Sequence, residues 1–157
     1  MVIMATRPAS RTQTPAMEAW GLLQQIMMSQ RSLFFEVASE FDLAPAQMHA
    51  LKALEPGKPR PMSELAGALR CDNSNVTGIA DRLEARGLVE RRLCPGDGRA
   101  RNAWLTDAGL GLLRAAQATH FGGVQRLFFD RMEPDEVAAL AAIFGRFAPE
   151  GAGACST

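Results

Sequence analysis

The fold is decided by residues 62–106, which read MSELAGALRCDNSNVTGIADRLEARGLVERRLCPGDGRARNAWLT. Apolar side chains at helical spacing predict a short helix over about 61–69 and, after the linker 70–73, a second helix that runs to about Arg86. Asp72 or Asn73 is suited to cap the second helix, because short polar side chains accept hydrogen bonds from the first free N–H groups. The four-residue linker between the helices predicts a helix–turn–helix.

After the second helix the sequence pattern changes from helical to strand-like. Residues 88–93 and 101–105 each read as a strand, and Pro95-Gly96-Asp97-Gly98 between them is typical of a turn. Thr106 is suited to cap the helix that comes next. Two short helices followed by a hairpin predict a winged helix–turn–helix, a fold suited to duplex DNA because a helix fits the major groove.

Longer helical patterns flank this segment. The expected fold class is mainly α with a small β-hairpin wing, in which a winged helix–turn–helix DNA-binding lobe joins a helical region. The expected boundaries are a mobile tail (1–14), a single domain (15–147) and a second mobile tail (148–157). Within the domain, 43–106 is assigned to the winged lobe and 15–42 and 107–147 to the helical region.

The composition is that of an ordinary globular protein. The chain has 157 residues, of which 47% are hydrophobic and 22% charged, with 17 basic and 17 acidic residues. Residues 52–104 hold ten basic and seven acidic residues, so that segment is +3 and the remainder is −3. Zero net charge excludes a charge-driven DNA coat. The lack of a signal-like start, of a long apolar run and of closely spaced cysteines favours a reduced, cytoplasmic protein.

Motifs in this order resemble the MarR family of bacterial transcriptional regulators. The matching segments are Leu43-Ala44-Pro45-Ala46-Gln47, Met62-Ser63-Glu64-Leu65-Ala66, Asn75-Val76-Thr77, Asp81 to Arg91, Asp97-Gly98-Arg99 and Leu105 to Gly109. The resemblance implies a homodimer, with the helical region of residues 15–42 and 107–147 as the dimerisation region. This dimer would bind a pseudo-palindromic operator in double-stranded DNA. It also implies repression that is relieved by a small aromatic or phenolic anion.

Eight residues are candidates for DNA contact. The polar side chains at the start of the second helix can reach base edges, and Asn suits adenine particularly well. Arg82 is a candidate for phosphate, although it and Arg86 could equally pair with Asp81, Glu84 or Glu90. The resemblance places Asp97 and Arg99 in the wing, with Arg99 in the minor groove. The complete candidate set is Asn73, Ser74, Asn75, Thr77, Arg82, Asp97, Arg99 and Arg101.

A ligand pocket is expected from the resemblance alone. Its candidate residues are Trp20, Met27, Arg31, Met48 and His49, each of which could instead be core or interface packing. The anion would bind between the dimerisation helices and the reading lobe and disfavour the spacing that DNA requires.

Three alternatives stay open at this stage. Cys71 follows Arg70 and Cys94 lies near Arg91 and Arg92, so a thiol-based redox sensor is one alternative. A winged helix that binds only protein is another. An enzyme is the least favoured, because the sequence has no phosphate-binding loop, nucleophile elbow or His-Glu metal motif. No cofactor or metal site is expected.

Overall fold

The computed structural model describes residues 14–94 and 97–147, without the side chains of Cys94 and residues 97–100. The chain divides into two compact units, Met1–Ser32 and Leu33–Thr157. The helices of the described part are α1 (Pro15–Glu40), α2 (Pro45–Ala53), α3 (Met62–Leu69), α4 (Asn73–Ala85), α5 (Asp107–Leu127) and α6 (Pro134–Gly145), with a single 3₁₀ turn at Phe129–Arg131. The strands are β1 (Arg60–Pro61), β2 (Val89–Cys94) and β3 (Asp97–Leu105). The predicted fold class, mainly helical with a small sheet, is confirmed.

The described part of the first unit, residues 14–32, contains the N-terminal part of α1. Its large apolar side chains are 46–64% exposed; they are Met17, Trp20, Leu22, Ile26, Met27 and Met28. Apolar area of this extent favours burial against another surface, since each buried Å² contributes about 25 cal/mol.

The second unit has a core to which α1, α2, α3, α4, the sheet and α5 all contribute. Its largest fully buried side chains are Leu51, Leu65, Leu83 and Val76. Met48 is 3% exposed and belongs to this core. Its position fits the core-packing alternative, and its role as a pocket residue stays a prediction.

The sheet has three antiparallel strands in the order β1-β3-β2. The sequence predicted only the hairpin β2–β3. Strand β1 is two residues long and pairs Arg60 with Ala103 and Pro61 with Asn102. Asp97 and Gly98 belong to β3 rather than to the predicted turn, so the hairpin is longer than expected. Strand β1 therefore joins the start of α3 to the β2–β3 hairpin.

Candidate nucleic-acid interface

Helix α4 begins at a side-chain cap provided by Asp72. Its Oδ1 accepts hydrogen bonds from the Asn75 N–H and the Ser74 hydroxyl, both at 2.7 Å. The Ser74 hydroxyl, and after it the Asn75 N–H, hold the pKa of the Asp72 carboxyl below its ordinary value. Of the two caps that the sequence offered, Asp72 is the one used.

The four polar candidates at this helix end are all exposed, but they are not equally available. The Ser74 hydroxyl is bound to Asp72, and the Thr77 hydroxyl donates to the Asn73 carbonyl at 2.8 Å. Within the described part of the chain, the side-chain amides of Asn73 and Asn75 make no hydrogen bond. These two amides, together with the Thr77 methyl group, are what α4 can offer to base edges.

Arg91 on β2 holds α4 against the wing. Its Nε donates to Glu84 Oε2 at 3.0 Å, its Nη2 reaches both Glu84 and Asp81 at 2.5 Å, and its backbone N–H donates to Glu84 Oε1. The Arg91 side chain is 14% exposed, so its charge is largely neutralised within the protein. The guanidinium thus binds one Glu84 oxygen, Oε2, and the backbone N–H binds the other, Oε1, so both carboxylate oxygens join α4 to β2.

We expect Glu84→Gln to destabilise the protein at pH 7 by about 1 kcal/mol, a figure reduced for solvent screening because the Glu84 side chain is 37% exposed. The Arg91 guanidinium, and then the Arg91 N–H, lower the pKa of Glu84 from its ordinary value of 4.5. A lowered carboxyl pKa gives stability that is present above 4.5 and is lost as the pH falls through the folded-state pKa. Urea unfolding should therefore show the variant and the wild type converging in acid.

Glu36→Gln is the matched control for that experiment, because Glu36 is exposed on α1. It should change the free energy of unfolding by less than about 0.5 kcal/mol at either pH. A Glu84→Gln variant that unfolds like the Glu36→Gln variant would show that the contact with Arg91 does not stabilise the protein.

Arg86 and Arg82 have different surroundings in the structure. The two Nη groups of Arg86 donate to the backbone carbonyls of Phe41 and Asp42, just after the end of α1. Arg86 is therefore held by backbone carbonyls rather than by an acid. The fork fits there because these carbonyls belong to the turn after α1 and lie outside the hydrogen-bond ladder of the helix. Arg82 is exposed, and no acid among the described residues pairs with it. It remains a candidate for phosphate.

An open cleft of about 500 Å³ lies between the start of α3, the first half of α4 and the sheet. Asn73 and Thr77 line it from α4, and the exposed Arg101 lines it from β3. With Arg91 neutralised by Glu84 and Asp81, Arg101 is the positive charge of this cleft. The backbone of Asp97 and Arg99 lies on β3, but the side chains on which their predicted roles depend are outside the described residues.

A cluster of rings lies where α1, α2 and α5 meet in the second unit. The Phe34 ring stacks on His49 with centroids 4.5 Å apart, and His120 meets the same ring edge-on at 6.2 Å. Lys52 Nζ lies 5.6 Å from the Phe34 centroid. The His120 Nε2 is buried and has no hydrogen-bond partner among the described residues. Of the predicted pocket residues only His49 belongs to this cluster; Phe34, Lys52 and His120 escaped the prediction because they lie far apart in sequence.

The predicted pocket residues Trp20, Met27 and Arg31 belong to the first unit. Trp20 and Met27 are 57% and 56% exposed, and Arg31 is exposed as well. Cys71 is half-buried and packs against the core of the second unit. The Cys94 side chain is outside the described residues.

We expect the junction around Phe34 to weaken in mild acid. Burial, and then the charge of Lys52, lower the pKa of both His49 and His120 from 6.5. A lowered histidine pKa means that the folded state favours the neutral ring, so stability is full above pH 6.5 and falls as the pH drops toward the folded-state pKa. Chemical unfolding at pH 7.5 and 5.5 should show a smaller loss for Lys52→Met than for the wild type. An equal loss in both proteins would show that the charge of Lys52 does not contribute to the loss of stability in acid.

Among the described residues, no helix combines the length and the apolarity needed to cross a membrane.

The fold is a winged helix–turn–helix, formed by α3, α4 and the β2–β3 hairpin. Proteins of this class present one helix to duplex DNA. The MarR family model matches residues 43–100, a range that spans α2, α3, α4, β2 and the start of β3. The chain is 32% identical over 112 residues to the HTH-type transcriptional repressor NicR of Pseudomonas putida, covering 71% of each protein. It is 29% identical over 129 residues to the HTH-type transcriptional regulator PecS of Dickeya dadantii, covering 80% of this chain and 77% of PecS.

The fold agrees with these relatives. The crystal structure of ligand-free MarR from Escherichia coli superposes with a TM-score of 0.73 at 25% identity, covering 82% of this chain and 94% of MarR. The chain belongs to the MarR family and is a DNA-binding transcriptional regulator. The expectation of a regulator rather than an enzyme is confirmed by this membership.

Proposed function

We propose that the protein is a homodimeric repressor that binds a pseudo-palindromic operator and is released by a small aromatic or phenolic anion. The observation that carries the proposal is the pair of exposed amides, Asn73 and Asn75, at the N-terminal end of α4. Their hydroxyl neighbours are engaged within the helix, so base recognition depends on the amides. A DNA-binding regulator of this kind acts in the cytoplasm.

Dimerisation is supported by apolar side chains that the single chain leaves in solvent. In the first unit Trp20 is 57% exposed, and in the second unit Phe121, Phe144 and Phe147 are 63%, 52% and 78% exposed. None of the residues of α6 is buried. A two-fold dimer would cover such surfaces and would place two α4 helices about one helical turn apart on DNA.

Sedimentation of the protein with a duplex taken from its own promoter tests this arrangement. We expect a dimer at micromolar concentration and one dimer for each duplex, with two protected half-sites about 10 base pairs apart. A monomer that binds a single half-site would exclude the proposed symmetry.

The wing is proposed to contact the minor groove through Arg99, steadied by Asp97. Arginine suits a narrow minor groove because the phosphates on either side focus negative potential there. We expect Arg99→Ala to weaken operator binding roughly 10-fold or more, whereas Arg146→Ala at the end of α6 has little effect. Fluorescence anisotropy with a labelled operator compares the two variants. Equal affinities would remove the wing from the interface.

The effector site is proposed at the Phe34 cluster. The stacked Phe34 and His49 rings offer an aromatic surface, and Lys52 and the unpartnered His120 Nε2 offer partners for an anion. Titration of the protein–operator complex with sodium benzoate or salicylate tests the site. Release of DNA that His120→Phe abolishes would support it; release that the variant leaves unchanged would place the effector elsewhere.

A further inference from the structure

The N-terminal end of α4 carries a negative charge where a DNA-binding helix would gain from a positive one. Free N–H groups at the start of a helix attract phosphate. In α4 the Asp72 carboxylate binds one of these groups, the Asn75 N–H, and also the Ser74 hydroxyl, each 2.7 Å from Oδ1. A carboxylate charge therefore lies at the helix end that would otherwise attract phosphate.

Among the described residues, no ion pair offsets the Asp72 carboxylate. Asp72 is exposed, and no lysine or arginine in the described parts of the chain lies within 4.0 Å of it. The hydrogen bond from Ser74 keeps the pKa of the Asp72 carboxyl low, so the group is ionised throughout the neutral range. A serine, threonine or asparagine would cap the helix as well without the charge.

We propose that Asp72 is a specificity-determining residue whose charge repels phosphate from the N-terminal end of α4. This end then binds DNA only where contacts to bases outweigh the repulsion. The inference rests on the proposed role of Asn73 and Asn75 as base readers. On operator DNA their contacts fix the position of the helix end. On unrelated DNA nothing fixes it except attraction to phosphate, and there the carboxylate opposes binding directly.

The charge balance of the chain agrees with this role. Residues 52–104 carry a net charge of +3, which is small for a lobe that must approach two rows of phosphates. A weakly charged lobe with an acid at its reading end has little affinity for DNA in general. DNA binding by such a protein depends on specific contacts to bases and on an operator with two half-sites.

Asp72→Asn tests the proposal, because asparagine keeps the cap acceptor and removes only the charge. We expect affinity for a scrambled duplex to rise about 3- to 10-fold, and affinity for the operator to rise less. The slope of log K against log salt should steepen by roughly 1 for each carboxylate removed. Asp135→Asn, the same change in the first turn of α6, is the matched control and should alter neither quantity.

The sign of the effect separates this proposal from a purely structural role. A lost cap would weaken binding to both duplexes and lower the melting temperature, whereas loss of repulsion strengthens binding to scrambled DNA. If Asp72→Asn fails to fold, Asp72→Ser carries the same test. Scrambled-DNA affinity that is unchanged or reduced in a folded variant overturns the proposal while wild-type operator binding stands. Failure of the wild type to prefer its operator would overturn the proposed function as well.

Discussion

Gly109→Ala is expected to lower the free energy of unfolding by about 3 kcal/mol. A Cβ at this position would lie 2.1 Å from the Leu88 carbonyl oxygen and 2.9 Å from Leu105 Cδ1. The backbone cannot yield easily, because the Thr106 N–H donates to the same Leu88 carbonyl and the Thr106 hydroxyl donates to the Gly87 carbonyl. The added methyl group would push α5 away from the point where α4 ends and β2 begins.

Thermal or urea unfolding at a fixed protein concentration measures this loss. Gly111→Ala is the matched control two residues later in α5, where a Cβ meets nothing within 4 Å. That variant should be neutral or more stable by about 0.5–1 kcal/mol, because alanine is the better helix former. Equal stability of the two variants would contradict the close approach of α5 to Leu88.

Asn75→Ala is expected to relax base preference at one position of each half-site by roughly 1–3 kcal/mol, the discrimination of a bidentate amide–base pair. The Asn75 side chain is exposed, and its amide is unused within the described residues. Its backbone N–H remains bound to Asp72, so the helix cap should survive the change. Binding-site selection on randomised duplexes, compared with the wild type, gives the result position by position.

Thr77→Val is the matched control for this experiment. Valine keeps the methyl group and replaces the hydroxyl, which donates to the Asn73 carbonyl within α4, by a second methyl group. The variant should therefore select the same sequences as the wild type. Unchanged selection by Asn75→Ala would exclude Asn75 as a base reader.

The helix–turn–helix and the wing could be predicted because their signals are local. Apolar spacing, the Asp72 cap and Gly87 at φ +68° each act within a few residues. Strand β1 could not be predicted, because two residues carry no alternating pattern and pairing with β3 alone makes Arg60–Pro61 a strand. Its place depends on a partner more than 40 residues away.

The site was only partly predictable for the same reason. Exposed polar residues at the start of a helix predict a helix that contacts DNA bases, but they do not show which of their groups already have partners. The Ser74 hydroxyl binds the Asp72 cap and the Thr77 hydroxyl binds the Asn73 carbonyl. Arg86 looks like a phosphate ligand in sequence, yet it binds carbonyls 44 and 45 residues earlier in the chain. Contacts between distant elements decide such roles, and periodicity does not encode them.

The central claim is that this chain recognises a DNA sequence, and electrophoretic retardation on its own promoter tests it most directly. Wild-type protein at about 0.15 M salt should retard the promoter duplex at least about 1,000-fold more tightly than a scrambled duplex of the same length. Affinity for both duplexes should fall as salt rises. No retardation of the promoter even at low salt, or equal affinity for the two duplexes, would contradict the account.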